Sequence, residues 1–133
     1  MKILLDTHIL IWTLFESNSL KIKERELLLN PKYEILVSSV SLWEISLKYQ
    51  LGKLQLENIH PDQLPEEINK MGFNTIDLNI SDASTYYKLP KLKHADPFDR
   101  MLVWQAIQNK CSLFSKDKAI KQYKNCGLTI LSV

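Results

Sequence analysis

The chain has 133 residues, the length of one domain, with 17 basic and 15 acidic side chains and a formal net charge of +2. That balance is too even to announce a nucleic-acid binder by bulk charge, and no apolar run approaches the roughly 20 residues of a membrane span. Asp6 and His8 interrupt the first apolar stretch, so no signal peptide is expected; Cys111 and Cys126, without metal-ligand spacing, are expected as free thiols in a reducing cytoplasm.

Residues 2–5 read as a short buried strand ended by Asp6-Thr7, with a short helix over about 9–15. Asn18-Ser19 punctuate, and 20–29 carry helical periodicity until Asn30-Pro31 stops it, because the residue before proline avoids the helical region. Residues 34–37 read as a second strand. Ser38, Ser39 and Ser41 offer N-caps for a helix reaching about Gln50, with Gly52 suited to its C-terminal turn. Pro61-Asp62 opens a helix ending near Gly72, 73–78 reads as a third strand, and 81–87 as helical. Asp96-Pro97 is a helix start, an Asp cap followed by proline, and that helix runs to about Asn109. A fourth strand at 111–114, with Cys111 opening it, a short helix at 116–123 and a fifth strand at 128–131 complete the chain. Strands alternating with helices predict an α/β fold, a parallel sheet of about five strands with helices on both faces.

In such a fold, strand C-termini and the following helix N-termini meet at one sheet edge, where ligands bind. Asp6, Glu44, Asp99 and Asp117 all fall at positions that reach that edge. Each also has a structural explanation. Asp6 and Asp117 suit the caps of the helices that follow them. Glu44 suits a capping box with Ser41 and an i,i+4 pair with Lys48, worth about 0.2–0.5 kcal/mol. Asp96 suits a cap and Asp99 the acidic position three residues into that helix. Pattern alone leaves capping and cation binding both open. If the acids converge, oxygen-only ligands suit Mg²⁺ or Mn²⁺, and the lack of a Cys/His cluster speaks against structural zinc.

Lys88, Lys91 and Lys93, and again Lys116, Lys118, Lys121 and Lys124, form basic clusters that either guide a polyanion or are plain solvated surface. Trp12, Trp43 and Trp104 lie in apolar helical stretches and are expected to pack in the core or an interface. His8 is expected as a contact beside Asp6, and His94 as a residue orienting the turn before Asp96. Arg100 is expected either to meet a phosphate or to neutralise an acid.

Four segments together, LLDTHILIW at 4–12, SSVSLWEISLK at 38–48, HADPFDRMLVWQA at 94–106 and LFSKD at 113–117, resemble the PIN-domain ribonucleases, and more narrowly the VapC-type toxins with a DPFDR segment. The resemblance spans nearly the whole chain and implies a single PIN domain over 1–133, a PIN-like three-layer sandwich. It implies that Asp6, Glu44, Asp99 and Asp117 form an acidic quartet holding Mg²⁺ or Mn²⁺, with Asp96 as a further metal ligand or cap. Thr7, Ser115 and Arg100 would support the quartet. The implied activity is endoribonuclease cleavage, with water attacking the phosphodiester to leave a 5′-phosphate. The implied partners are RNA, a small cognate antitoxin and a second copy built on N-terminal helical surfaces, with no membrane. Two other readings remain: a catalytically silent PIN-fold binding module, and a structure-specific DNA nuclease.

Overall fold

The computed structural model describes residues 1–131; the last two positions of the 1–133 expectation lie outside the described residues. Five short strands form one fully parallel sheet: β1 (Lys2–Leu5), β2 (Glu34–Ser38), β3 (Asn74–Ile76), β4 (Ser112–Phe114) and β5 (Thr129–Ile130). Their order across the sheet is β3-β2-β1-β4-β5. β1 is central, with Ile3 opposite both Ile35 and Ser112. Six α-helices connect them: α1 (Thr7–Phe15), α2 (Ile22–Leu29), α3 (Ser39–Gln50), α4 (Leu64–Lys70), α5 (Ile80–Thr85) and α6 (Pro97–Gln108). Tighter 3₁₀ turns cover Ser17–Ser19, Pro61–Gln63, Tyr86–Lys88 and Lys118–Cys126.

The strand alternation sorts the core into two layers, because successive side chains point to opposite sheet faces. Ile3, Leu5, Ile35, Val37 and Phe114 face Ile9 and Leu10 of α1, Leu28 of α2, and Leu64 and Ile68 of α4. Leu4, Leu36 and Leu113 face Leu102 and Val103 of α6, with Ile120 and Tyr123 of the last turn. Helices therefore cover both faces, and the expected three-layer sandwich is the observed one.

Several boundaries differ from the sequence reading, each for a local reason. α2 starts at Ile22 rather than Leu20, since the Glu24 carboxylate accepts from Lys21 N–H at 2.7 Å and sets the first turn there. β3 stops at Ile76 because Leu78 N–H leaves the ladder and donates to Ser39 Oγ at 3.0 Å. The final helix is a 3₁₀ run beginning at Lys118, so Lys116 and Asp117 belong to the loop after β4. Cys111 is buried as expected, one residue before β4 begins. Gly52 takes φ +72° just after α3, the left-handed conformation its turn requires.

Candidate functional site

The sheet's direction of winding reverses at β1: the chain passes to β2 and β3 on one side, then crosses to β4 and β5 on the other. A crevice forms at such a switch point, beyond the strand C-termini. Asp6 stands at the end of β1, where its backbone N–H bonds Phe114 O at 3.0 Å, and Asp117 stands just beyond β4. Asp6 and Asp117 thus flank that crevice. Both also cap: Asp6 Oδ1 accepts from Ile9 N–H at 2.8 Å, and Asp117 Oδ1 from Ala119 N–H at 2.9 Å. Capping uses one oxygen of each and leaves the other for a ligand. Burial pushes the Asp6 carboxyl above its ordinary range, and nearby Asp117 adds to this, while Ser115 hydroxyl, Ile9 N–H and His8 resist it. The Ser115 hydroxyl therefore lies beside the Asp6 carboxylate.

α3 brings Glu44 to the same edge. Ser38 is its N-cap, accepting from Val40 N–H at 3.0 Å, so the expected Ser41–Glu44 capping box does not form. The helix starts three residues earlier than that box requires. Ser41 and Glu44 instead turn inward toward α1. Thr7 Oγ1 donates to Glu44 Oε1 at 2.6 Å and sits 3.0 Å from Ser41 Oγ, from which it accepts, since one hydroxyl has one proton to give. Glu44 Oε2 pairs with the Lys48 ammonium one helical turn on. A carboxylate only 2% exposed needs both partners. Burial alone would lower Lys48; Glu44, with Asp96 and Asp99 behind it, more than offsets that and holds its pKa up. Lys48 is thus a cation of the site itself, a role the sequence assigned only to a helix pair.

α6 delivers the remaining acids. Asp96 Oδ1 caps it, accepting from Asp99 N–H at 3.0 Å with Pro97 in the first turn, as the sequence predicts. Asp99 then projects into the site, and His94 Nε2 lies 3.2 Å from its Oδ2 and 4.0 Å from Asp117 Oδ2. His94 Nδ1 lies 3.1 Å from the Tyr123 hydroxyl, which fixes the ring against the second core layer. Burial, then the Asp96 and Glu44 charges, push the Asp99 carboxyl up to about 6; His94 lowers it and Asp6 raises it further. α3 and α6 are held at fixed separation by Ser38 donating to the fully buried Gln105 side chain.

Donor atoms of His94, Asp99 and Asp117 all lie within 4.8 Å of one another, close enough for one metal ion. Asp6, Glu44 and Asp96 are linked to this group by their charges, since each shifts or is shifted by one of its members. The sequence reading missed His94 as a possible ligand. Its signal was its place five residues before Asp99, and it adds a nitrogen to the oxygen atoms gathered there.

Arg100 corrects the expectation placed on it. Among the described residues it meets no acid, and its donors are taken up by neutral oxygens. Its guanidinium is buried, donating to the Tyr86 hydroxyl at 2.9 Å, Pro90 O at 3.0 Å, Leu89 O at 3.1 Å and the Tyr123 hydroxyl at 3.1 Å. Helical geometry explains this: a neighbour of Asp99 in sequence points about 100° away around the helix. Of the two placements expected for Trp43, core or interface, the core is ruled out. Trp43 is 61% exposed, edge-on to Phe98 with ring centroids 5.0 Å apart, rather than packed in the core. Trp104 is buried and donates to Thr85 Oγ1 at 3.2 Å, as expected. Trp12 is half-buried, with the Lys116 ammonium 5.8 Å from its ring centroid. Lys116 also pairs with Glu24 at 2.9 Å, so it fastens α2 and is no free surface cation.

The sequence of this chain matches the PIN domain description over residues 3–125. Its fold is similar to three solved structures whose chains it covers almost completely. VapBC2 from Rickettsia felis, bound to a DNA fragment from its promoter, superposes with TM-score 0.71 and 20% identity over 99% of this chain and 98% of that one. VapBC-1 from nontypeable Haemophilus influenzae gives 0.69 and 20%, over 99% and 98%. VapBC-5 from Mycobacterium tuberculosis, a member of a toxin–antitoxin family, gives 0.61 and 15%, over 99% and 98%. No curated protein sequence matches the chain. At these identities the structures speak to fold alone. The family match rests on the sequence itself and covers β1 to β4 but for Lys2, with all four predicted acids, so the chain belongs to the PIN domain family.

Proposed function

We propose that this chain is a VapC-type toxin, a metal-dependent endoribonuclease folded as a single PIN domain over 1–133. The observation that carries the proposal is the gathering of Asp99, Asp117 and His94, whose donor atoms all lie within 4.8 Å of one another. Asp99 sits among Asp96, Glu44 and Asp6, and burial first, then the Asp96 and Glu44 charges, pushes its carboxyl up to about 6. Lys48 is committed to Glu44. A divalent cation held among these acids would offset their mutual repulsion.

The donor chemistry fits Mg²⁺ or Mn²⁺. Carboxylates of Asp6, Asp99 and Asp117 would hold the ion, with Asp96 as an added ligand or solely a cap. His94 adds an imidazole, which suits Mn²⁺ better than Mg²⁺. When bound, the ion supplies Lewis-acid charge at the scissile phosphate and activates a water for attack. The chain's own residues do the positioning. Thr7 and Lys48 fix Glu44, leaving its remaining lone pairs to orient that water. His94 positions Asp99, whose carboxyl is raised to about 6 by burial and its acidic neighbours and would be held as a carboxylate where a cation binds. In-line attack leaves a 5′-phosphate and a 3′-hydroxyl.

The relatives of similar fold are VapBC assemblies, which supports a small cognate antitoxin as partner. A second copy on the N-terminal helices is supported by Ile22 and Leu29 of α2, both exposed despite being apolar. No described helix is long and apolar enough to cross a membrane, and the cytoplasm is proposed as the site of action. The test is cleavage of single-stranded RNA and of matched DNA by purified protein with EDTA, then with Mg²⁺ or Mn²⁺ restored. RNA cut only with the cation, into 5′-phosphate ends, is the expected result. DNA cut in preference would favour the DNA-nuclease reading, and no cleavage with any cation would favour the silent binding module.

A further inference from the structure

A cleft of about 400 Å³ opens beside the acidic edge. Tyr86, Tyr87, Leu92 and His94 line it, with Lys91 and the buried Arg100. That volume lies at the lower end of small-ligand pockets, about 300–1,000 Å³, and is enough for one nucleoside. His94 belongs to both places, lining the cleft while its Nε2 lies 3.2 Å from Asp99. A group seated in the cleft and a phosphate at the acids would be neighbours on one strand.

We propose that this cleft seats a nucleobase of the single-stranded RNA, next to the phosphodiester cut at the acidic edge. The inference rests on the ribonuclease reading and adds the subsite that selects where cutting occurs. Four observations carry it. Tyr87 is 78% exposed at the cleft, and an exposed aromatic ring offers a face on which any base stacks. The wall is pre-formed: the four Arg100 bonds hold the Leu89 and Pro90 carbonyls and the Tyr86 and Tyr123 hydroxyls, so little ordering cost falls on binding. The Tyr86 hydroxyl accepts from Arg100 and gives its own proton to no acceptor among the described residues, which leaves a donor for a base edge. Lys88, Lys91 and Lys93 are exposed, and among the described residues none forms a salt bridge, so three free cations flank the cleft where a phosphate backbone would run. This charge favours a polyanion over a neutral peptide.

The experiment compares full-length wild type with Tyr87→Ala, Tyr87→Trp and Leu92→Trp, using cation-supplemented cleavage of a randomised single-stranded RNA pool and steady-state kinetics on one preferred site. The expected result is a KM raised about tenfold by Tyr87→Ala with kcat within about twofold, and a relaxed base preference at one position flanking the cut. Tyr87→Trp restores both, because stacking survives. Leu92→Trp, which fills the cleft, moves KM in the same direction as Tyr87→Ala. If wild type cuts RNA and Tyr87→Ala and Leu92→Trp cut the same sites with unchanged KM, the base subsite is overturned and the ribonuclease reading stands. If wild type cuts no RNA with any cation, both fall. Unchanged RNA cleavage by Tyr87→Ala with lost binding of a co-expressed antitoxin would assign the cleft to a protein partner and overturn the subsite.

Discussion

The two walls of the acidic crevice obey different electrostatic rules. On the wall built by α1 and α3, Glu44 is almost fully buried, and both its oxygens are answered, one by the Thr7 hydroxyl and one by Lys48. On the wall built by α6 and the loop after β4, Asp96, Asp99 and Asp117 are more open, with His94 between two of them. Burial forces the first wall to be neutralised within the chain, because a buried unpaired charge is too costly to keep. Partial exposure lets the second wall keep unmatched charge, which is where a cation has most to offer. The contrast predicts that substitutions on the two walls move stability and activity in different combinations.

The largest effect falls on activity at the open wall. Asp99→Asn keeps the size of the side chain and its contact with His94 but removes the charge. RNA cleavage should fall by about two to three orders of magnitude. Folding should be unharmed, since the change also removes repulsion with Asp96 and Glu44. Steady-state cleavage assays with thermal melting on the same samples would check this. Wild-type cleavage by Asp99→Asn would remove the open wall from the mechanism.

At the closed wall the order reverses. Thr7→Val replaces the hydroxyl with a methyl of similar size and strips Glu44 of one partner. Leaving a buried acceptor unsatisfied should lower stability by about 1–3 kcal/mol, read by chemical denaturation. The effect on cleavage should be smaller than that of Asp99→Asn, because Glu44 keeps its charge and Lys48. A variant as stable as wild type would mean that water replaces the hydroxyl and the wall is wetter than its burial implies.

How far these walls can be read from sequence depends on whether a feature is local. The central strands β1, β2 and β4 were legible because each carries a short apolar run bounded by turn residues. The caps at Asp6, Asp96 and Asp117 were legible because a cap acts within three residues. Arg100 and Trp43 were not. Each sits one position from a site acid, at Asp99 and Glu44, and one step turns a side chain about 100° around a helix. Which of those directions meets solvent, core or crevice is decided by the helix's neighbours. α3 illustrates this: apolar residues occur on several of its sides, so pattern alone left Trp43 to the core or to an interface, and it lies 61% exposed. His94 and Lys48 were hidden for the same reason, since their roles appear only once α6 meets α3. Whether capping or metal binding keeps the four acids also stayed open in the pattern, as the same carboxylate does the first with one oxygen and remains free for the second.

The smallest and most specific effect separates the walls by pH. Asp99 has its carboxyl raised to about 6 in the folded protein, against an ordinary value of 3.8. Between those values the folded state binds the proton more tightly than the unfolded chain does. Asp99 therefore favours folding in acid, and this contribution is lost as pH rises from about 4 through about 6. Chelator-treated protein should lose a few degrees of melting temperature from Asp99 as pH goes from about 5 to about 7. Other groups titrate over the same range, so the quantity to measure is the difference between wild type and Asp99→Asn at each pH. The variant should show the shallower decline. Adding Mn²⁺ or Mg²⁺ should raise the wild-type melting temperature at about pH 7, with little effect at about pH 5, where the proton competes for Asp99. Equal slopes for wild type and Asp99→Asn would show that the open wall's charge is already neutralised within the chain, and the difference between the walls would vanish.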